Sequence, residues 1–455
     1  MKNKRIISLV SLGLVAIVGT GIGFGINASL GSDDPTPVST APAQAKAAAE
    51  AAEPMPEPDQ ANVAEQLPEP APAQVAAPHP VPAPEAEEVS AQVTIEPDPD
   101  YESELRGAGI SARGWQTDFS RHTVPYSEII SGGVPRDGIP PLDDPSFTTP
   151  EDASEWLGDQ EPVIAFELNG DARAYPLQIL TWHEIVNDVV GGVPVSATFC
   201  PLCNAALVFD RRLDGVVYDF GTSGKLRNSD LIMWDRQTES WWQQFTGTGI
   251  VGELAGKKLT ILPASIISFS DFRAASPDGK VLSRDTGFSR SYGQNPYAGY
   301  DRADQPPFLF DGDLDGRLLP KERVATVTIG EVDAAFPFSI LEEERVVNYT
   351  INGKDLVVFF KSGTVSALDK SSIRGSRDVG ATGLFDGQVD GRKLTFRSDG
   401  DRFLDNETGS VWNILGQAVE GPLKGTVLAP VVHANHFWFA WGAFKPDTLI
   451  YQGVG

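Results

Sequence analysis

The chain has two cysteines, three positions apart in Cys200-Pro201-Leu202-Cys203. A pair at this spacing can close a disulfide, cycle between dithiol and disulfide, or hold a soft metal ion. A bond closing so short a loop constrains the unfolded chain by only roughly 2 kcal/mol, against about 5 for a loop of a hundred residues. A purely structural disulfide is therefore the weakest use of the pair. In redox work one thiol attacks, the other resolves, and a neighbour moves the proton. His183 and Asp188, in the run His183-Glu184-Ile185-Val186-Asn187-Asp188, are candidates for that task. Pro201 can open a turn or short helix, which would place Cys200 at a helix N-terminus and favour its thiolate. A thioredoxin-like βαβ setting is not seen. For a metal site, Cys200 and Cys203 supply two ligands and His183 and His436 would complete the set, with thiolate and imidazole suiting copper or zinc. His433 stands at HxxH spacing from His436. The three uses stay open at this level, and so does whether the chain is an enzyme.

One further pattern is chemical. Asp311-Gly312-Asp313-Leu314-Asp315-Gly316, with Glu322 beyond it, fits the calcium-loop template, although Pro320 and the lack of flanking helical patterns weaken the match.

The elements that position these residues read as mostly β with a few short helices, an α+β arrangement. Val193–Phe199, Leu356–Phe360 and Lys393–Arg397 are short β-branched or aromatic runs bounded by turn residues. Helical periodicity is clearest over Ile179–Asp188 and Ile266–Ala275. An internal duplication is expected, giving two pseudo-symmetric halves over 105–322 and 323–455. Tyr175-Pro176-Leu177-Gln178-Ile179-Leu180 aligns with Phe336-Pro337-Phe338-Ser339-Ile340-Leu341, and the run Asp235–Gln243 with Asp405–Asn413. In that alignment Cys200, Cys203 and His183 fall on Lys361, Thr364 and Glu344, so the thiols belong to one half alone. The other half carries His433-Ala434-Asn435-His436.

Ahead of the folded part, Met1-Lys2-Asn3-Lys4-Arg5 precedes an uncharged run from Ile6 to Leu30, long enough to cross a bilayer. Residues 1–30 are expected to be a membrane anchor or signal with Lys2, Lys4 and Arg5 on the cytoplasmic side, leaving the rest extracytoplasmic. Residues 31–104, rich in Ala, Pro and Glu with the single base Lys46, read as a disordered spacer, and His79 within it is idle. A net charge of −26 repels phosphate backbones and argues against nucleic-acid binding. Nine tryptophans and a 41% hydrophobic fraction suffice for a core beyond residue 105. His122 is expected to be structural.

His183-Glu184-Ile185-Val186-Asn187-Asp188, Phe199-Cys200-Pro201-Leu202-Cys203, Phe209-Asp210-Arg211, Gly221-Thr222-Ser223-Gly224, Ser229-Asp230-Leu231, Asp285-Thr286-Gly287-Phe288 and Pro296-Tyr297 together resemble the DUF3179 family of exported or membrane-anchored bacterial and archaeal proteins. The resemblance implies redox use of the Cys-Pro-Leu-Cys position, since some members are labelled selenoproteins. It also directs attention to Asn187, Asp188, Asp210, Arg211, Ser223, Ser229, Asp230, Asp235 and Arg236, whose ordinary role would be turn chemistry and ion pairing.

Overall fold

The computed structural model describes residues 95–453. The expected anchor over 1–30 lies outside the described residues, as does most of the spacer over 31–104. Among the described residues no helix is long and apolar enough to cross a membrane. A helix, Tyr101–Gly107, starts inside the stretch read as spacer, because Leu105 is buried in a cluster with Ile110, Phe119 and Tyr126.

The structure is mostly β with short helices. The hairpin β1 (Pro162–Leu168) and β2 (Asp171–Pro176) leads into helix α1 (Leu177–His183). The hairpin β3 (Ile185–Val190) and β4 (Val193–Cys200) follows, and β5 (Ala205–Asp210) pairs beside β4. A third sheet is built on β6 (Phe220–Arg227) and β7 (Asp230–Asp235).

Beyond residue 322 the same succession of elements recurs. The hairpin β8 (Arg323–Ile329) and β9 (Val332–Pro337) leads into α2 (Phe338–Glu344), then β10 (Val346–Ile351), β11 (Lys354–Lys361) and β12 (Ala381–Asp386). The pairings recur too: Ile185 faces Thr198 as Val346 faces Phe359. The strand β13 (His433–Phe437) then pairs with β8, as Ser265–Ser268 pairs with β1.

Local chemistry explains the differences from the periodicity. The helix expected over Ile179–Asp188 ends at His183, because Glu184 takes φ 58°, ψ −31° and the buried β-branched residues that follow enter β3. The second expected helix begins only at Phe269, where the Ser268 hydroxyl accepts from the Asp271 backbone N–H; Ser265–Ser268 is a strand. The strand expected over Lys393–Arg397 is split into Arg392–Lys393 and Phe396–Asp399. No helix begins at Cys200, since Pro201–Asn204 is a tight turn joining β4 to β5.

Residues 283–322, between the strand Lys280–Leu282 and β8, contain neither helix nor strand. This strap is fixed by a buried charge. Asp301, fully buried, accepts from Arg323 at 2.9 Å and pairs with Arg377 at 3.1 Å.

Candidate functional site

The turn after β4 carries both thiols. Cys200 is the last residue of β4, and Cys203 sits in the turn, which Asn204 closes at φ 53°. The third donor comes from the next sheet. Asn228 and Ser229 hold the β6–β7 turn at φ 51° and 65°, and Asp230 opens β7 directly under the sulfurs. One carboxylate oxygen of Asp230 and the two sulfurs lie within 4.8 Å of one another. Exposure is 2% for Cys200 and 0% for Cys203 and Asp230. Positive φ on a non-glycine residue stores strain, and here it falls on the residues flanking the donors.

The Asp230 carboxyl is half satisfied. Its Oδ2 accepts from Gln243 Nε2 at 2.6 Å and from the Phe245 N–H at 2.9 Å. Its Oδ1 is buried and receives no N–H or hydroxyl, so the two thiols are what face the carboxyl there. Cys200 Sγ donates to the Ser229 carbonyl at 3.8 Å. Burial pushes the Asp230 carboxyl up to about 7, against the pull of Gln243 and Phe245. Burial raises the Cys200 thiol, and raises Cys203 well above the ordinary thiol range, with Cys200 and Asp230 adding to it. Glu184, 7% exposed, is pushed up to about 8 by burial and by Asp230. No basic side chain figures among the leading influences on these four groups. Among the described residues, the site is a buried concentration of acidic groups.

Two segments seal it. From the strap, the Tyr300 hydroxyl donates to the Leu202 carbonyl at 3.0 Å, the Ser229 hydroxyl donates to the Phe308 carbonyl at 2.5 Å, and the half-buried Tyr297 packs against the core near Glu184 and Cys200. From β13, the Phe437 N–H donates to the Cys203 carbonyl at 2.9 Å, and Asn204 Nδ2 to the Asn435 carbonyl at 3.1 Å.

The other expected site residues fall outside the group formed by Cys200, Cys203 and Asp230. His183 Nδ1 lies 2.8 Å from the Pro140 carbonyl, and its Nε2 lies 2.6 Å from the Tyr292 hydroxyl. A carbonyl only accepts, so Nδ1 carries the proton and Tyr292 donates to Nε2. Burial lowers His183 to about 4, so the ring is neutral at physiological pH. The unfolded chain takes up this proton near pH 6.5, whereas the native ring resists it until about 4. Stability should therefore fall as pH drops from about 6.5 to 4, by at most roughly 3 kcal/mol from this ring. His433 and His436 are lowered in the same direction by burial. Urea midpoints at pH 7 and pH 4.5 check the sign, and the gap should narrow in His183→Gln.

Asp188 accepts from the Tyr175 hydroxyl at 2.8 Å and from the Val189 N–H at 2.7 Å, with Arg173 at 3.9 Å. His436 lies between the Phe245 and Trp441 rings, and its Nδ1 has no partner. His433 Nδ1 meets the Val431 carbonyl at 2.8 Å. The calcium-loop residues do not converge: Asp315 is bound by Arg317, and Glu322 accepts from the Ser339 N–H. Of the family-motif polar residues, Ser229 and Asp230 reach the thiols. Asn187, Asp210, Arg211, Ser223, Asp235 and Arg236 bind backbone or neighbouring side chains, as Arg211 does with the Val195 and Tyr218 carbonyls. Glu184 belongs to no ligand or catalytic spacing in the sequence. An acid trapped between a helix and an Ile-Val strand start was its only signal.

The chain matches the model of the family described as a protein of unknown function (DUF3179) over residues 136–448, most of its length, and belongs to that family. Neither the comparison with curated proteins nor that with solved structures finds a match.

Proposed function

We propose that this DUF3179 member holds a divalent, borderline-soft metal ion, Zn²⁺ by preference, on Cys200, Cys203 and Asp230. The observation that carries the reading is the convergence of two buried thiols on the buried Asp230 carboxyl, whose Oδ1 faces no donor stronger than those thiols. Burying an acid whose second oxygen meets only thiols is costly, and a cation that displaces the protons removes that cost. Mixed thiolate and carboxylate donors suit zinc better than calcium or magnesium. Metal analysis of protein purified without chelator should give one equivalent of zinc for the wild type and none for the Cys200→Ser, Cys203→Ser double variant. Equal metal content in the two would remove the assignment.

A second reading has one observation in its favour: Asp230, held near pH 7, faces both thiols and could accept a proton from either. In that case a small disulfide substrate takes two electrons and two protons from the pair, leaving two thiols and a Cys200–Cys203 bond. The deep burial of both sulfurs places this second, since a protein disulfide could not reach them.

The recurrence of elements supports descent of the two halves from one duplicated unit. So does a second pair of matching clusters: Asp235 accepts from Trp242 Nε1 at 2.8 Å, and Asp405 from Trp412 Nε1 at 3.0 Å. The N-terminal Lys2, Lys4, Arg5 and the uncharged Ile6–Leu30 support tethering to a membrane with the folded part outside the cytoplasm. Protease accessibility on intact cells tests that placement.

A further inference from the structure

We infer that the fold carries a built-in site for one ordered water molecule, at the junction between the residues before and beyond 322. The site does not depend on the metal reading above.

The turn after β11 sets it up. Thr364 stands three positions past Lys361, the last residue of β11, as Cys203 stands three past Cys200 at the end of β4. The Thr364 backbone is engaged on both sides. Its N–H donates to Asp378 Oδ1 at 3.1 Å, and its carbonyl accepts from the N–H groups of Val379 at 2.9 Å and Gly380 at 3.2 Å. The hydroxyl is different. Thr364 is 1% exposed, and no protein group bonds its Oγ1. A buried hydroxyl without a bond is costly, so such groups are ordinarily met by protein or by an internal water.

Thr364 lines a cavity of about 20 Å³. One water needs roughly 10–15 Å³ of such space and about two to four polar partners. Asn204, Arg323 and Asn435 line the same cavity, with Leu177 and Phe338 as apolar walls. Each of the three polar side chains has capacity left over. Asn204 Nδ2 donates to the Asn435 carbonyl at 3.1 Å, and Asn435 Oδ1 accepts from the Thr382 hydroxyl at 2.6 Å, which leaves Asn204 Oδ1 and Asn435 Nδ2. Arg323 engages Asp301 and Ser366 through Nη2, which leaves Nε and Nη1. An acceptor, several donors and a hydroxyl that can act as either thus belong to the walls of one water-sized space.

The charges around it balance. Asp301 and Asp369 offset Arg323 and Arg377, so the site suits a neutral guest rather than an anion. A water held there joins the turn that carries Cys203, through Asn204, to the Arg323–Asp301 pair that fixes the strap.

The Thr364→Val variant of the full chain tests this, since valine keeps the shape and removes the hydroxyl. With a water on Thr364 the exchange breaks a bond, and the urea midpoint should fall by roughly 0.3 M. Without one the exchange removes an unsatisfied group and the midpoint should rise. A rise, or no change, would overturn the inference. A crystal structure locates the guest directly: one water is expected within hydrogen-bond reach of Thr364 Oγ1 and of at least one of Asn204, Arg323 and Asn435. Absence of density there would overturn the site. Anomalous signal there from bromide soaked into the crystal would overturn water as the guest and make the site one for an anion.

Discussion

The Cys203→Ser variant should bind Zn²⁺ roughly a thousandfold more weakly than the wild type, about 4 kcal/mol. The size follows from the share one thiolate holds in a structural zinc site, where the total is about 10–16 kcal/mol. Cys203 is the more deeply placed sulfur and has no solvent contact. Serine would not ionise there, so the cation would keep one sulfur and the Asp230 carboxylate. Competition against a chromophoric chelator measures the loss. An affinity within tenfold of the wild type would mean that the sulfur is not a ligand. Apo stability should change little, because the Cys203 backbone stays bound to Phe437 and the replacement fits the same space.

The second large effect concerns the strap. Asp301→Ala should destabilise the protein by about 4 kcal/mol, since deleting one member of a buried ion pair leaves the other charge uncompensated. Burial opposes ionisation of Asp301, but Arg323, Ser366 and Arg377 outweigh it and hold the carboxyl below its usual range. Without it, Arg323, 8% exposed, would keep the Ser366 hydroxyl and the Phe437 ring as partners, neither of which carries a charge. Tyr297, Tyr300 and Phe308 lie on the same strap, so the thiols should also become reactive. Urea unfolding gives the stability change, and the rate of maleimide labelling under native conditions reports the exposure. A large loss of stability with no change in labelling would show that the strap stays seated without its ion pair.

Much of the scaffold was legible in the residues. Alternating or continuous runs of Val, Ile and Phe placed β4 and β11, and between β10 and β11 the dipeptide Asn352-Gly353 has the composition a two-residue hairpin loop needs, with both residues at positive φ. Both helix boundaries were misplaced for one reason. A helical period continued through residues that a single backbone kink at Glu184, or a cap at Ser268, turned into strand. The cysteine pair was evident from spacing. Its partner Asp230 stood out only as one polar residue among many, because the contact is made across two sheets. The histidines had the right chemistry for ligands, but an imidazole's role depends on what faces it. His183 faces a carbonyl and a phenol, and His436 faces two aromatic rings.

The bond from Phe437 to the Cys203 carbonyl has a consequence for biogenesis. Polypeptides emerge N-terminus first. Both sulfurs are therefore synthesised long before the strap, and longer still before β13. Throughout elongation they lack their cover and face whatever oxidants surround the nascent chain. Pulse-labelled ribosome-bound intermediates truncated before residue 433 should thus expose alkylatable sulfur, and the finished chain should not. Any insertion of an ion would fall between those two moments, while the way in is still open.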